Sequence, residues 1–181
     1  ASYLAFFATL LYFMGWIVGI GVPFSLDSPA KITAGPASSI TIDLGLLTLF
    51  GLQHSVMARP AFKEWWTQFV PASLERSIYV LCSSAALLAL MVCWQPLSGV
   101  VWSVQNEAMR MAIYGVFVLG WVILFLATFL INHFDLFGLR QVWLQFTDRP
   151  YTPLNFGTPL LYRVVRHPLY VGWLLIFWAA P

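Results

Sequence analysis

Long apolar runs broken by short polar stretches dominate the chain. Residues 3–22, 40–57, 77–94 and 108–131 carry at most one charged side chain each, and a fifth run starts at Pro168. A helix needs about 20 mainly apolar residues to cross bilayer hydrocarbon, so the first four runs predict spanning helices. The fifth has 14 residues to Pro181, about 21 Å of helix at 1.5 Å per residue, which is too short. The pattern predicts an all-α integral membrane protein of about five transmembrane helices, the last incomplete in this chain. A single domain over 1–181 is expected, truncated at its C-terminal end and also lacking an initiator Met. Gly15-Trp-Ile-Val-Gly19 has the small-xxx-small spacing that suits close helix contact.

Composition agrees with the pattern. Hydrophobic residues make up 60% and charged residues 9%, against about 25% charged in soluble domains. The net charge of +2 comes with no basic run, so a lipid bilayer is the expected partner and nucleic acid is not. The run 3–22, extended by Pro23 and Phe24, is too long and too aromatic for a signal-peptide core. Cys82 and Cys93 lie in one apolar run, separated by about 16 Å of helix, so they do not pair. Buried packing is their expected role.

The basic residues are unevenly placed. Loops 23–39 and 95–107 contribute Lys31, with Arg110 just inside the next run. Stretches 58–76 and 132–167 contribute Arg59, Lys63, Arg76, Arg140, Arg149, Arg163 and Arg166, seven against two. Cytoplasmic loops are enriched in Lys and Arg, so the second pair of loops and the N-terminus are expected in the cytoplasm. The polar loop between the fourth and fifth helices is then cytoplasmic. On this assignment His54 with Arg59, Asn132-His133-Phe134-Asp135, and Arg163 with Arg166 and His167 share one membrane face. Ionisable groups at membrane depth point to function.

The last of these clusters lies in "RVVRHPLYVGW". Pro168 suits the first helical position, and His167 would cap that helix at its positive end. Helical spacing carried back one turn puts Arg163, His167 and Tyr170 on one face. Gly172 would let a ligand approach the backbone, and a cationic helix start suits a carboxylate or phosphate. Equally, the arginines would serve as anchors at the lipid headgroups. His54 has two readings, a substrate-side role or a hydrogen bond between helices. Asp43, about 16 Å up the same face, reads as interfacial. Asp135 either assists His133 or holds a capped helix end. No metal-site spacing of Cys, His and acidic residues occurs, and no Gly-x-Gly-x-x-Gly marks a Rossmann cofactor site.

"RHPLYVG" resembles the Arg-His-Pro-x-Tyr-x-Gly signature of the isoprenylcysteine carboxyl methyltransferase-like membrane methyltransferases. "GLQHSVMARPAFKEWW" at 51–66, "ERSIYVL" at 75–81 and "NHFDLFGLRQVW" at 132–143 resemble one branch of that superfamily, the methanethiol S-methyltransferases. The "QHS-MAR" region is also similar to that of membrane proteins linked to nitrite and nitric-oxide reduction. The resemblance implies S-adenosyl-L-methionine as cofactor, with Arg163, Arg166, His167, Pro168, Tyr170 and Gly172 as its binding residues. It further implies a small thiol as substrate; a bacterial inner membrane is expected, and the basic bias turns the site toward the cytoplasm. Superfamily members continue past Pro181 with a further hydrophobic stretch and an acidic pair that completes the cofactor pocket.

Methyl transfer to sulfur needs the thiolate, so a base and a cation are expected. His133 is the first candidate base and His54 the second, with Asp135 helping His133 and Arg59 or Arg140 holding the thiolate's charge. One alternative is methylation of an isoprenylcysteine carboxylate or a phospholipid amine. Another, from a different class, is a non-enzymatic haem-associated or denitrification-related membrane protein.

Overall fold

A computed structural model describes residues 1–28, 35–97, 99–100, 102–154, 157 and 160–180. Lys31, one of the residues in the charge comparison, lies outside them. The described residues form helices and connections, with no strand among them. In chain order the helices are α1 (Ser2–Val18), α2 (Pro36–Met57), α3 (Pro60–Trp66), α4 (Ala72–Cys93), α5 (Glu107–Ile131), α6 (His133–Leu136), α7 (Leu139–Phe146), α8 (Leu161–Val164) and α9 (Pro168–Trp178).

Helices α2, α4 and α5 are long and apolar enough to cross a membrane, whereas α1 and α9 are shorter. At 22, 22 and 25 residues the long three span roughly 33 to 38 Å at 1.5 Å per residue. Their surfaces suit lipid rather than water. In α2 the buried residues are Ser39 and Asp43, while Leu44, Leu47, Leu49 and Leu52 are exposed. In a bilayer, apolar side chains gain nothing by leaving the solvent, and polar ones are drawn to other helices.

The chain divides into two compact units. The first comprises Ala1–Gly99 and Phe137–Val142, the second Val100–Leu136 and Trp143–Pro181. In the first, α4 packs against both α1 and α2. Trp16 of α1 meets Trp94 edge-on, with centroids 5.7 Å apart. Asp43 is buried in this unit, where its Oδ1 accepts the Gln95 N–H at 2.9 Å. Asp43 therefore holds the chain leaving α4.

Two further sequence expectations change. Gly19 ends α1 in the left-handed region at φ 68°, and the Ile20 N–H returns to the Gly15 carbonyl at 3.0 Å. This is a Schellman-type stop, which glycine adopts without steric penalty. The Gly15/Gly19 pair thus terminates a helix, and α1 ends four residues before the apolar run does. The cysteines are free thiols, Cys82 partly buried and Cys93 exposed, so Cys93 does not pack inside.

In the second unit, α5 packs against α9. Helix α5 starts well because Asn106 Oδ1 accepts the Met109 N–H at 3.0 Å, satisfying a donor that the first turn leaves open. The two helices meet at Gly120 and Gly172. A Cβ on Gly172 would lie 2.8 Å from the Gly120 carbonyl oxygen, and one on Gly120 would lie 2.9 Å from the Gly172 carbonyl oxygen. Ile176 and Trp121, 0% and 2% exposed, are buried in the same unit. The obstacle is backbone, which cannot rotate away as a side chain can. Gly172→Ala is therefore expected to lower stability by about 1–3 kcal/mol, the usual cost of overpacking. Thermal unfolding of the detergent-solubilised protein checks this, and an unchanged midpoint would show that the two backbones have room to part.

Candidate functional site

In the first unit, His54 sits in the last turn of α2. The Tyr79 hydroxyl of α4 lies 3.0 Å from both His54 ring nitrogens, and Ser83 Oγ is 3.4 Å from Nδ1. Phe50 stacks on the imidazole at 5.5 Å. Of the two sequence readings of His54, the hydrogen bond between helices is present, with Tyr79 and Ser83 as its partners. Neither was singled out from sequence, although Tyr79 lies inside "ERSIYVL". Arg59 is exposed at the start of α3, and Lys63 of that helix pairs with Glu75 at 3.6 Å. Arg140 is half-buried on α7. The same unit fixes the start of that segment through Gly138, which has a φ of 80°. A Cβ at this position would lie 2.8 Å from the Ser77 amide nitrogen, so there is no room for a side chain.

The second unit holds the other candidates. Helix α5 ends at Asn132, whose φ of 137° lies in a region uncommon outside glycine. The Asn132 N–H still returns to the Thr128 carbonyl at 3.1 Å, and its Oδ1 accepts the Asp135 N–H at 3.1 Å. One residue thus stops α5 and starts α6. The reversal returns His133 to α5, where the ring is 2% exposed. Its Nδ1 lies 2.8 Å from Thr128 Oγ1, and Phe129 stacks on it at 4.2 Å and 7°. Asp135 is also buried, and the Tyr151 hydroxyl donates to its Oδ2 at 3.5 Å.

The 163–172 stretch is not one extended helix. Helix α8 stops at Val165, which is extended, and α9 begins only after His167 at φ −133° and ψ 70°. Arg163 therefore does not continue the α9 face. His167 does occupy the cap position, without a side-chain cap bond. Its ring lies 5.3 Å from that of Tyr170, and Arg163, Arg166, His167 and Tyr170 are all exposed. Pro168 and Gly172 are buried. The space that Gly172 leaves is occupied by α5, so this glycine serves helix packing rather than access for a ligand.

By unit, His54, Arg59 and Arg140 belong to the first, while His133, Asp135 and the 163–172 stretch belong to the second. Fold and clusters together define an all-helical integral membrane protein with buried and exposed ionisable groups near its helix ends. The chain is 51% identical over 179 residues to the methanethiol S-methyltransferase of Crocosphaera subtropica, covering 99% of this chain and 69% of that protein. It is 48% identical over 181 residues to methanethiol S-methyltransferase 1 of Bradyrhizobium diazoefficiens, covering 100% of this chain and 63% of that protein. To the Mycobacterium tuberculosis methanethiol S-methyltransferase it is 47% identical over 181 residues, covering 100% and 73%. The chain belongs to the methanethiol S-methyltransferase family. No protein-family model matches it, and no solved structure is detectably similar.

Burial holds the His133 imidazole below its usual 6.5, because a charged ring loses solvation in the packed turn. The native state then binds this proton more weakly than the unfolded chain does. Stability is full above about 6.5 and is lost as pH falls through and below that value. The unfolding midpoint is expected to fall between about pH 7.5 and about pH 5, and His133→Gln to flatten that slope. Parallel slopes in the two proteins would contradict the burial.

Proposed function

We propose that this chain carries the methyltransferase activity named for its relatives: transfer of a methyl group from S-adenosyl-L-methionine to methanethiol, giving dimethyl sulfide at the membrane. The observation that carries this reading is the 51% identity across 99% of the chain to a methanethiol S-methyltransferase. We place it in a bacterial inner membrane with about five crossings, α1 and α9 joining the three long helices, and with the site facing the cytoplasm. The seven-to-two basic bias supports that orientation.

The residues opening α9 suit the cofactor. Exposed Arg163 and Arg166 match a carboxylate, the helix start favours the same charge, and the His167–Tyr170 ring pair offers aromatic faces to a purine. Gly172 contributes by letting α9 close on α5, and Pro168 by opening α9 at its first position. When bound, the cofactor's sulfonium supplies an electrophilic methyl group. The protein's part is to hold the thiol in line with it, to exclude water, and to take the thiol's proton. An apolar surround would favour such charge-neutralising chemistry over hydrated, separated ions. Holding the thiol in place would supply much of the rate.

His133 is the base in this scheme, with Asp135 on the same short helix. His54 is the second choice, because the Tyr79 hydroxyl lies within 3.0 Å of both its ring nitrogens. The test is direct: full-length protein given methanethiol and S-adenosyl-L-methionine is expected to release dimethyl sulfide, measured by gas chromatography. Methylation of a prenylcysteine or a phospholipid in its place would reject the acceptor. His167→Ala and Tyr170→Phe are expected to weaken cofactor binding in calorimetric titration, and unchanged affinity in both would remove the 163–172 stretch from the cofactor site.

A further inference from the structure

The hydrogen bonds around Thr128 determine which nitrogen of His133 carries a proton. Thr128 is 3% exposed and lies in the last turn of α5 before the reversal at Asn132. Its Oγ1 is 2.7 Å from the Phe125 carbonyl oxygen and 2.8 Å from His133 Nδ1. A carbonyl oxygen only accepts, so an oxygen–oxygen approach this short requires the hydroxyl hydrogen between them. A threonine hydroxyl has one hydrogen, and it is committed to Phe125. Toward His133 the hydroxyl therefore offers a lone pair, and Nδ1 has to be the donor. In the neutral ring that leaves the basic lone pair on Nε2. The flat stack of Phe129 on the imidazole restrains the ring from turning over and exchanging the two nitrogens.

We propose that Thr128 is a positioning residue for the reaction: it holds His133 as the Nδ1–H tautomer, so that Nε2 is the atom that takes the thiol's proton. The inference rests on the thiol-methylating reading above. In the step, the S–H bond breaks and an Nε2–H bond forms. The electron pair stays on sulfur, and the imidazolium keeps its Nδ1–H on Thr128. Beside the buried ring, Phe129 and Phe134 are 56% and 54% exposed. The second unit also places Asp135, Tyr151 and Tyr162 on this turn and its neighbours, through the bonds of Tyr151 to Asp135 and of Tyr162 to the Ala127 carbonyl.

Nitrogen-15 spectra of the full-length, histidine-labelled protein read the tautomer, with His133 assigned by its absence from the His133→Asn spectrum. The expected wild-type signal is a protonated Nδ1 and an unprotonated Nε2, kept in Thr128→Ser and lost or mixed in Thr128→Val. With methanethiol, Thr128→Val is expected to lower kcat at neutral pH by a large part of the about 10²–10⁴-fold that a general base supplies. Its KM should change little, and the deficit should shrink toward high pH, where the thiol ionises unaided. Thr128→Ser should restore the wild-type profile. A wild-type His133 protonated at Nε2 overturns the inference whatever the activity. A Thr128→Val enzyme with the expected tautomer change but a wild-type pH profile overturns it as well. Failure to form dimethyl sulfide, with the tautomer as expected, rejects the acceptor and leaves the hydrogen-bond assignment standing.

Discussion

Backbone-to-backbone contact between α5 and α9 is the constraint on which the second unit depends. Glycine at 120 and 172 lets the two helices approach until each carbonyl lies within 3 Å of where the other residue's Cβ would be. In lipid no hydrophobic drive pushes such helices together, so close packing has to supply the attraction. This contact fixes α9 against α5, and with it the start of α9, where His167 and Tyr170 lie. Further along, α5 ends in the Thr128–His133 turn. One helix therefore supports both the residues assigned to the cofactor and the residue assigned to the thiol's proton.

The turn at Asn132 is a local answer to a general problem of helix ends. The last carbonyls of a helix lack partners, and in or near a membrane the chain has little water to satisfy them. Asn132 closes the final α5 bond with its N–H and opens α6 with its side chain, which lets the chain reverse within one residue. The reversal buries His133 against the helix it has just left. A buried, neutral imidazole is suited to accept a proton, whereas a charged one is not.

Apolar runs made the long helices legible in sequence, because twenty uncharged residues have few other fates. Their starts were less so. Helices α2, α4 and α5 begin before the apolar runs, at Pro36, Ala72 and Glu107, since proline at the first position and polar first turns are compatible with helix but invisible to hydropathy. Glycine misled twice, at Gly19 and Gly172, because a missing side chain signals a turn, a close helix or a ligand in the same letter. Of the candidate site, the motif residues were legible one by one. Their partners were not: Tyr79 and Thr128 lie inside apolar runs, 25 and 5 residues from the histidines they bond. The Thr128 contact further depends on a chain reversal at a positive φ.

The central claim is that the protein itself removes the thiol's proton, through His133. The direct test compares wild type and His133→Ala on two small thiols, methanethiol and one acidic enough to be ionised at neutral pH. A base matters only to the thiol that still holds its proton. A loss of about 10²–10⁴-fold in kcat is expected on methanethiol, and little loss on the acidic thiol. Equal losses on both would contradict it, because His133 would then be acting on something other than the proton.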